Sequence, residues 1–67
     1  MIEQNNAGAP VRLIRLPEVC NRVGLSRASI YVLIDAGKFP RQRKLAANSV
    51  AWVDREVDAW IAERIAA

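Results

Sequence analysis

The sequence LPEVCNRVGLSRASIYVLIDAGKFP, residues 16–40, contains two short helical patterns separated by a tight turn. In the first pattern, Val19, Cys20 and Val23 are spaced so that they share one face of a helix. Gly24 follows directly, and glycine often ends a helix because it adopts left-handed backbone angles at little cost. We therefore predict a first helix that ends at this glycine.

The second pattern begins at Ser26, whose hydroxyl can accept a backbone N–H of the following turn and so cap a helix. Ile30, Leu33 and Ile34 then follow the spacing of a helical apolar face. Gly37 is placed to end this helix. Two short helices joined by such a turn predict a helix-turn-helix.

The segments on either side predict short strands. Residues 11–16 alternate loosely between apolar and basic side chains, which predicts a strand before Pro17, a residue suited to the first turn of a helix. Residues 43–45 and 50–53 have strand character and flank a four-residue loop. The prediction is a β-hairpin in which Asn48 takes a left-handed conformation.

A third helix is predicted after the hairpin, with Asp54 as its N-cap. Its apolar stripe consists of Val57, Trp60, Ile61 and Ile65. Each tryptophan of the chain lies within an apolar pattern. We expect both Trp52 and Trp60 to be buried against the first two helices.

The order strand, helix, helix, hairpin, helix is that of a winged helix-turn-helix, a mainly α fold with a small β-hairpin. An apolar fraction of 52% in 67 residues favours one folded domain, which we place at residues 11–67. Residues 1–10 are polar, without periodicity, and are predicted to form a flexible N-terminal arm.

Charge is distributed unevenly along the chain, whose net charge is +3. Between positions 22 and 44 there are six basic residues and a single acid, Asp35, whereas positions 54–64 hold four acids and two bases. A basic middle beside an acidic end fits a face that binds a polyanion. A solvated surface on which charged residues cluster by chance would show the same charge distribution.

Catalysis finds no support in the composition. Histidine, the commonest general base and metal ligand, is absent. Cys20 lies on an apolar helix face, which indicates a core residue rather than a nucleophile. Gly-rich phosphate loops and metal-ligand spacings are not found. We therefore expect no enzyme activity, no catalytic residue, no metal and no cofactor.

The single cysteine excludes an intrachain disulfide, and neither a signal peptide nor an apolar run of membrane-spanning length is visible. These features predict a cytoplasmic protein that does not bind a membrane.

DNA binding is the function that the predicted fold favours, because the helix after the turn can lie in the major groove. Basic residues that lead into the wing can neutralise phosphates. The candidate DNA-binding residues are Ser26, Arg27, Ala28, Ser29, Tyr31, Lys38, Arg41, Arg43, Lys44, Asn48 and Ser49.

Three of these candidates have alternative roles. Arg27 fits two hydrogen bonds to a guanine, but also a phosphate contact or a solvated side chain. Ser29 fits either a phosphate contact or a strengthening of the helix cap. The ring of Tyr31 can pack on the first helix while its hydroxyl contacts a phosphate, or it can serve packing alone.

Taken together, several segments resemble the AlpA family of phage-type regulators over about residues 12–65. These segments are Arg12-Leu13-Ile14-Arg15-Leu16, Val23-Gly24-Leu25-Ser26-Arg27, Ile30-Tyr31, Gly37-Lys38-Phe39-Pro40, Val50-Ala51-Trp52 and Glu56-Val57-Asp58-Ala59-Trp60. The resemblance implies a MerR-like winged-helix fold and a role as a transcriptional regulator or as an excisionase that assists an integrase. It also implies that Ser26, Arg27, Ser29, Tyr31 and the wing, residues 43–49, lie at the DNA.

The sequence departs from the family at the second helix and at the wing. Val32 and Asp35 stand where the family often has basic residues, and Ala46 stands where it often has glycine. The family also often has an arginine near the position of Asn48. On the outward side of the second helix, Val32 is a candidate contact with another copy of the protein.

The function expected from these features is sequence-specific binding of double-stranded DNA by a protein of a prophage or integrated element, as transcriptional regulator, excisionase or both. Because no heptad pattern suggests a dimer, we expect a monomer that binds direct repeats as tandem copies. An integrase is a further expected partner. The alternative is a small protein-interaction module whose basic surface binds an acidic partner.

Overall fold

The computed structural model describes residues 10–67. The elements are β1 (Leu13–Ile14), α1 (Leu16–Val23), α2 (Arg27–Asp35), β2 (Arg43–Ala46), β3 (Ser49–Val53) and α3 (Asp54–Ala66). This order confirms the predicted winged helix-turn-helix. The arm expected over residues 1–10 lies outside the described residues, except for Pro10.

The first strand is shorter than the residues 11–16 that the sequence suggested. Only Leu13 and Ile14 pair with the neighbouring strand, opposite Val53 and Trp52. The Val19 N–H already donates to the Arg15 carbonyl at 3.0 Å. Helical hydrogen bonding therefore takes over directly after the strand.

The helix-turn-helix forms as predicted, because its signals are local. Gly24 ends α1 with a φ of 73°. The Ser29 N–H donates to the Ser26 hydroxyl oxygen at 3.2 Å, which confirms Ser26 as the cap of α2. At the other end, Gly37 also has a φ of 73°, and the Lys38 N–H donates to the Leu33 carbonyl at 2.8 Å. A non-glycine residue at either positive φ would be strained.

The hairpin differs from the prediction at its tip. Ala46 pairs with Ser49, so a two-residue turn replaces the expected four-residue loop. The register slips between Lys44 and Ala46, which forms a bulge at Leu45. The left-handed conformation predicted for Asn48 is wrong, since no described non-glycine residue has a positive φ. Pairing across the bulge sets this turn, and the loop sequence alone did not indicate the bulge.

The core lies between the sheet, in the order β1-β3-β2, and the helices. Trp52 is its largest fully buried side chain, and the Trp52 Nε1–H donates to the Pro40 carbonyl at 3.1 Å. The rings of Tyr31 and Trp52 pack in a T-shaped arrangement, with centroids 6.2 Å apart. The other buried residues of this cluster are Ile14, Val19, Ile30, Ile34, Phe39 and Val57.

The third helix begins at Asp54, one residue earlier than predicted. Its N-cap is Val53, so the assignment of Asp54 as the cap is wrong. The Asp54 carboxylate instead accepts the Arg12 N–H at 3.0 Å, while the Asp54 N–H donates to the Arg12 carbonyl at 2.9 Å. This reciprocal pair extends the β1–β3 ladder, and the contact joins residues 42 positions apart.

Burial along α3 is also narrower than the predicted stripe. Val57 is fully buried, whereas Ile65 is 79% exposed and has no place in the core. Trp60 is half-buried, and it packs edge-on against Phe39 with centroids 5.0 Å apart. Its Nε1–H donates to the Lys38 carbonyl at 2.8 Å. Burial of Trp60 is therefore partial, and these contacts are with the connection after α2.

Candidate nucleic-acid interface

A groove of about 490 Å³ lies where the starts of α1 and α2 meet the wing, which is the β2–β3 hairpin. Its lining consists of Arg15, Leu16, Pro17, Arg27, Tyr31, Asn48 and Val50. Three of the predicted DNA-binding residues, Arg27, Tyr31 and Asn48, are thus brought together. Arg27 and Tyr31 belong to α2, whereas Asn48 lies in the turn of the wing. The fold therefore brings together residues that are distant in the sequence.

The first turn of α2 presents Arg27 and holds the serines in place. The Ser26 hydroxyl donates to the Ser29 hydroxyl oxygen at 3.0 Å and accepts the Ser29 N–H. Both serines are therefore engaged in the cap, although both are exposed. Ala28 is exposed on the same turn. Since the serines complete the cap, Arg27 is the long, freely projecting polar side chain of this turn.

Tyr31 serves the core and the groove together. Its ring is half-buried and packs on Trp52 of β3. It also lines the groove beside Arg27. An aromatic ring held in this way orders the groove wall while its hydroxyl can meet a polar ligand.

The wing sends its two cations to opposite faces of the sheet. Lys44 lies opposite Val50, and directly opposed residues of an antiparallel pair share a face. Because Val50 lines the groove, Lys44 lies on the groove side. Arg43 lies opposite Ala51 on the other face, where its Nη2 is 2.5 Å from Glu56 Oε2 of α3.

Two basic residues of the cluster at positions 22–44 are neutralised by acids of α3. Arg43 pairs with Glu56, and Arg22 pairs with Asp58. Within residues 10–67, no ion pair involves the remaining four, which are Arg27, Lys38, Arg41 and Lys44. The basic surface available to a polyanion is therefore smaller than the sequence count suggests.

Eight of the eleven predicted residues lie outside the groove lining, and Lys38, Arg41 and Ser49 are the three not yet described. Lys38 and Arg41 are exposed in the connection between α2 and β2, and the carbonyl of Lys38 is bound by Trp60. Ser49 is half-buried in the tight end of the hairpin, opposite Ala46.

Arg15 is a groove residue that the sequence reasoning missed. It is exposed, it precedes α1 as its N-cap, and it lines the groove with Leu16 and Pro17. Among the described residues it has no ion pair, whereas Arg12 nearby lies 3.8 Å from Glu18. The sequence feature that could have indicated Arg15 is its position as a basic residue just before a helix start. It lies outside the basic cluster at positions 22–44.

The part of the chain that the structure describes contains no cluster of three or more potential metal ligands. Cys20 is half-buried against the core cluster, as predicted from its helix face. Over the same residues, no helix has the length and apolar character needed to cross a bilayer.

Residues 12–65 match the protein family described as prophage CP4-57 regulatory protein (AlpA). The chain is 38% identical over 66 residues to the DNA-binding transcriptional activator AlpA of Escherichia coli strain K12, which covers 90% of this chain and 93% of that protein. It is 53% identical over 55 residues to uncharacterized protein ORF88 of enterobacteria phage P4, covering 82% of this chain. The match spans 62% of the length of the phage protein.

Proposed function

The chain belongs to the AlpA family of prophage regulatory proteins, and from this premise we propose that it is a sequence-specific DNA-binding regulator. One observation carries the proposal. Among residues 10–67, the start of α2 and the groove side of the wing present cations that have no ion pair, whereas the acids concentrate on α3. A double helix offers a groove edge and two phosphate backbones to such a surface.

The proposed roles follow from position. Arg27 at the start of α2 reads a base, with a guanine as its best partner because guanine accepts two hydrogen bonds. The cap residues Ser26 and Ser29 hold that turn against the phosphate backbone of the DNA. Tyr31 offers its hydroxyl to a phosphate. The remaining contacts to phosphates come from Arg15 in the groove and Asn48 at the wing tip. Three further exposed cations, Lys38, Arg41 and Lys44, complete the set.

As a finer proposal, the protein belongs to a prophage or integrated element and acts as transcriptional regulator, excisionase or both. One recognition helix contacts a short site, so useful occupancy requires several copies side by side. We propose that copies bind direct repeats about one helical turn apart, with an integrase as partner during excision. A row of such copies can bend DNA, which suits both roles.

Salt dependence tests the central proposal. A duplex selected from a random pool is titrated with the full chain at several salt concentrations. With about four phosphates neutralised, the logarithm of affinity should fall against the logarithm of salt with a slope of roughly −3 to −4. The charge control is Arg64→Gln on α3, where Arg64 stacks over Trp60 at 4.5 Å, and its slope should match that of the wild type.

A flat salt response, or no binding to any duplex at low salt, would overturn the proposal. The protein would then be better described as an interaction module whose basic surface binds an acidic protein. Footprinting of the direct-repeat arrangement is a separate measurement. A stable dimer that protects an inverted repeat would contradict the tandem arrangement and leave DNA binding intact.

A further inference from the structure

The outward face of α2 carries an apolar residue with no role in the core. Val32 is 67% exposed. It is two residues from both Ile30 and Ile34, which are buried, and therefore lies roughly 160° around the helix from each. Ala28, one turn earlier, is exposed on the same face. Val32 thus lies on the side of α2 that faces away from the core.

This outward face cannot serve phosphates. Ala28 and Val32 have no side-chain donor, and the next residue on the face is the acid Asp35. The cations lie beside the face rather than on it, with Arg27 and Tyr31 on the flank that lines the groove. If α2 enters the major groove with its first turn leading, Tyr31 on this flank meets the backbone, whereas Arg27 in the first turn and Val32 on the outward face meet the edges of the bases.

We propose that Val32 reads thymine through the 5-methyl group in the major groove, with Ala28 as a second, smaller contact. This inference rests on the proposed function and names the base that α2 selects. The thymine methyl is the apolar group on the base edges of the major groove, and aliphatic side chains contact it. A base that presents a hydrogen-bonding group to Val32 would lose the water bound to that group without gaining a new hydrogen-bond partner.

The spacing of the two residues sharpens the proposal. Ala28 and Val32 are separated by about 6 Å along the helix axis, at about 1.5 Å for each residue. Successive base pairs are about 3.4 Å apart. Two contacted thymines would therefore lie about two base steps apart, next to the base that Arg27 reads.

A second copy of the chain is the competing occupant of this face, and area argues against it. Stable protein interfaces bury about 800 Å² on each partner. Val32 is the only large exposed apolar side chain on α2 among the described residues, and the others lie before α1, in β2 or near the end of α3. One valine beside Ala28 and the acid Asp35 does not form such an interface.

The test uses the full chain and the selected duplex, with each thymine replaced in turn by deoxyuridine. This replacement removes one methyl group and leaves the hydrogen-bonding edge unchanged. We expect one or two positions to lose about three- to fivefold in affinity, the value of one buried methyl contact. Val32→Ala should bind the thymine duplex three- to fivefold more weakly and should no longer distinguish it from the deoxyuridine duplex.

Two controls isolate this contact. Ile65→Ala removes a more exposed aliphatic side chain from α3 and should leave both affinities unchanged. The salt slope of Val32→Ala should equal that of the wild type, since no cation is lost.

Equal affinity for thymine and deoxyuridine at every position, with selected-site binding intact, would overturn the inference and leave the proposed function standing. Absence of duplex binding would overturn both. Sedimentation decides the remaining case: if Val32→Ala reduces self-association but keeps the wild-type response to deoxyuridine, the face binds a second copy and methyl reading is wrong.

Discussion

Arg43 and Lys44 are neighbours in the sequence, but the wing directs them to opposite faces of its sheet. Lys44 shares the groove side with Val50, and no described residue forms an ion pair with it. Arg43 lies on the side of α3 and is held by Glu56 at 2.5 Å. Strand alternation thus places one cation of this cluster on the groove side and pairs the other with α3.

The same division holds for the two helices that flank the sheet. The start of α2 exposes Arg27 beside a groove, whereas α3 supplies the acids that neutralise Arg22 and Arg43. The acids of α3 are therefore internal counterions, and the groove side keeps an excess of positive charge. A surface of one sign, backed by paired charges, attracts a polyanion from one direction.

The largest expected effect comes from Trp52, the core residue of β3 that supports both faces of the sheet. Trp52→Ala should cost about 3–5 kcal/mol, which is comparable to the whole stability of a domain this small. The Trp52 side chain is completely buried, so it is not available to contact DNA directly. Thermal unfolding followed by circular dichroism should show loss of the cooperative transition. A variant that unfolds like the wild type but no longer binds DNA would contradict this placement.

Arg27→Ala is expected to have the next largest effect, because it removes a base contact from the groove. Affinity for the selected duplex should fall by about 1–3 kcal/mol, and discrimination against altered bases should relax at one position. Competition between selected and random duplexes measures both quantities. Lys44→Ala is the comparison variant, since a phosphate contact weakens all sequences equally. Uniform loss in both variants would remove the base-reading role from Arg27.

Lys44→Ala and Arg43→Ala compare the two faces of the wing directly. Loss of Lys44 should make the salt slope about 0.9 shallower, the amount for one phosphate contact. Loss of Arg43 should leave the slope unchanged, because that side chain already has a counterion. Salt titrations of the two variants measure the difference. Equal changes in slope would show that DNA reaches both faces of the hairpin.

Glu56→Gln should have the smallest effect. The pair that it breaks is exposed, with 54% of the Arg43 side chain and 38% of the Glu56 side chain accessible. Such pairs contribute about 0–1 kcal/mol to stability. We expect the free energy of unfolding to fall by less than about 1 kcal/mol and DNA affinity to change by less than about twofold.

The matched control for this variant is Asp58→Asn, which removes the same charge from the partner of Arg22. The two variants should then bind DNA equally well in parallel titrations. A salt slope steeper by about 0.9 in Glu56→Gln alone would mean that the released Arg43 reaches a phosphate. In that case the ion pair, and not the face of the sheet, withholds this arginine from DNA.

Predictions from the sequence succeeded where the cause is local. Ser26 caps α2 and Gly24 ends α1, as the neighbouring residues indicated. The predictions failed where contacts with residues distant in the sequence determine the conformation or the burial. Asp54 had the chemistry of a cap, but its carboxylate is bound by the Arg12 N–H. The φ of Asn48 follows from a bulge in strand pairing, and Ile65 fitted the helical stripe but has no core beside it.

The candidate site divides in the same way. Arg27, Tyr31 and Asn48 were predicted from the turn and the hairpin, and the fold places them around one groove. Arg15 was missed, because its position beside α2 depends on how α1 packs and not on its neighbours in the chain. The count of six clustered bases gave no indication that α3 neutralises two of them.

Local signals in the sequence are enough to specify the two helices, the turn between them and the presence of a wing. Caps, glycines at helix ends and apolar spacing act within a few residues, so their effect can be seen along the chain. Which cations lack an ion pair among the described residues depends instead on how the elements pack together. The ion pairs that withdraw Arg43 and Arg22 join residues 13 and 36 positions apart, and such contacts exist only once the core has brought α3 against the wing and α1.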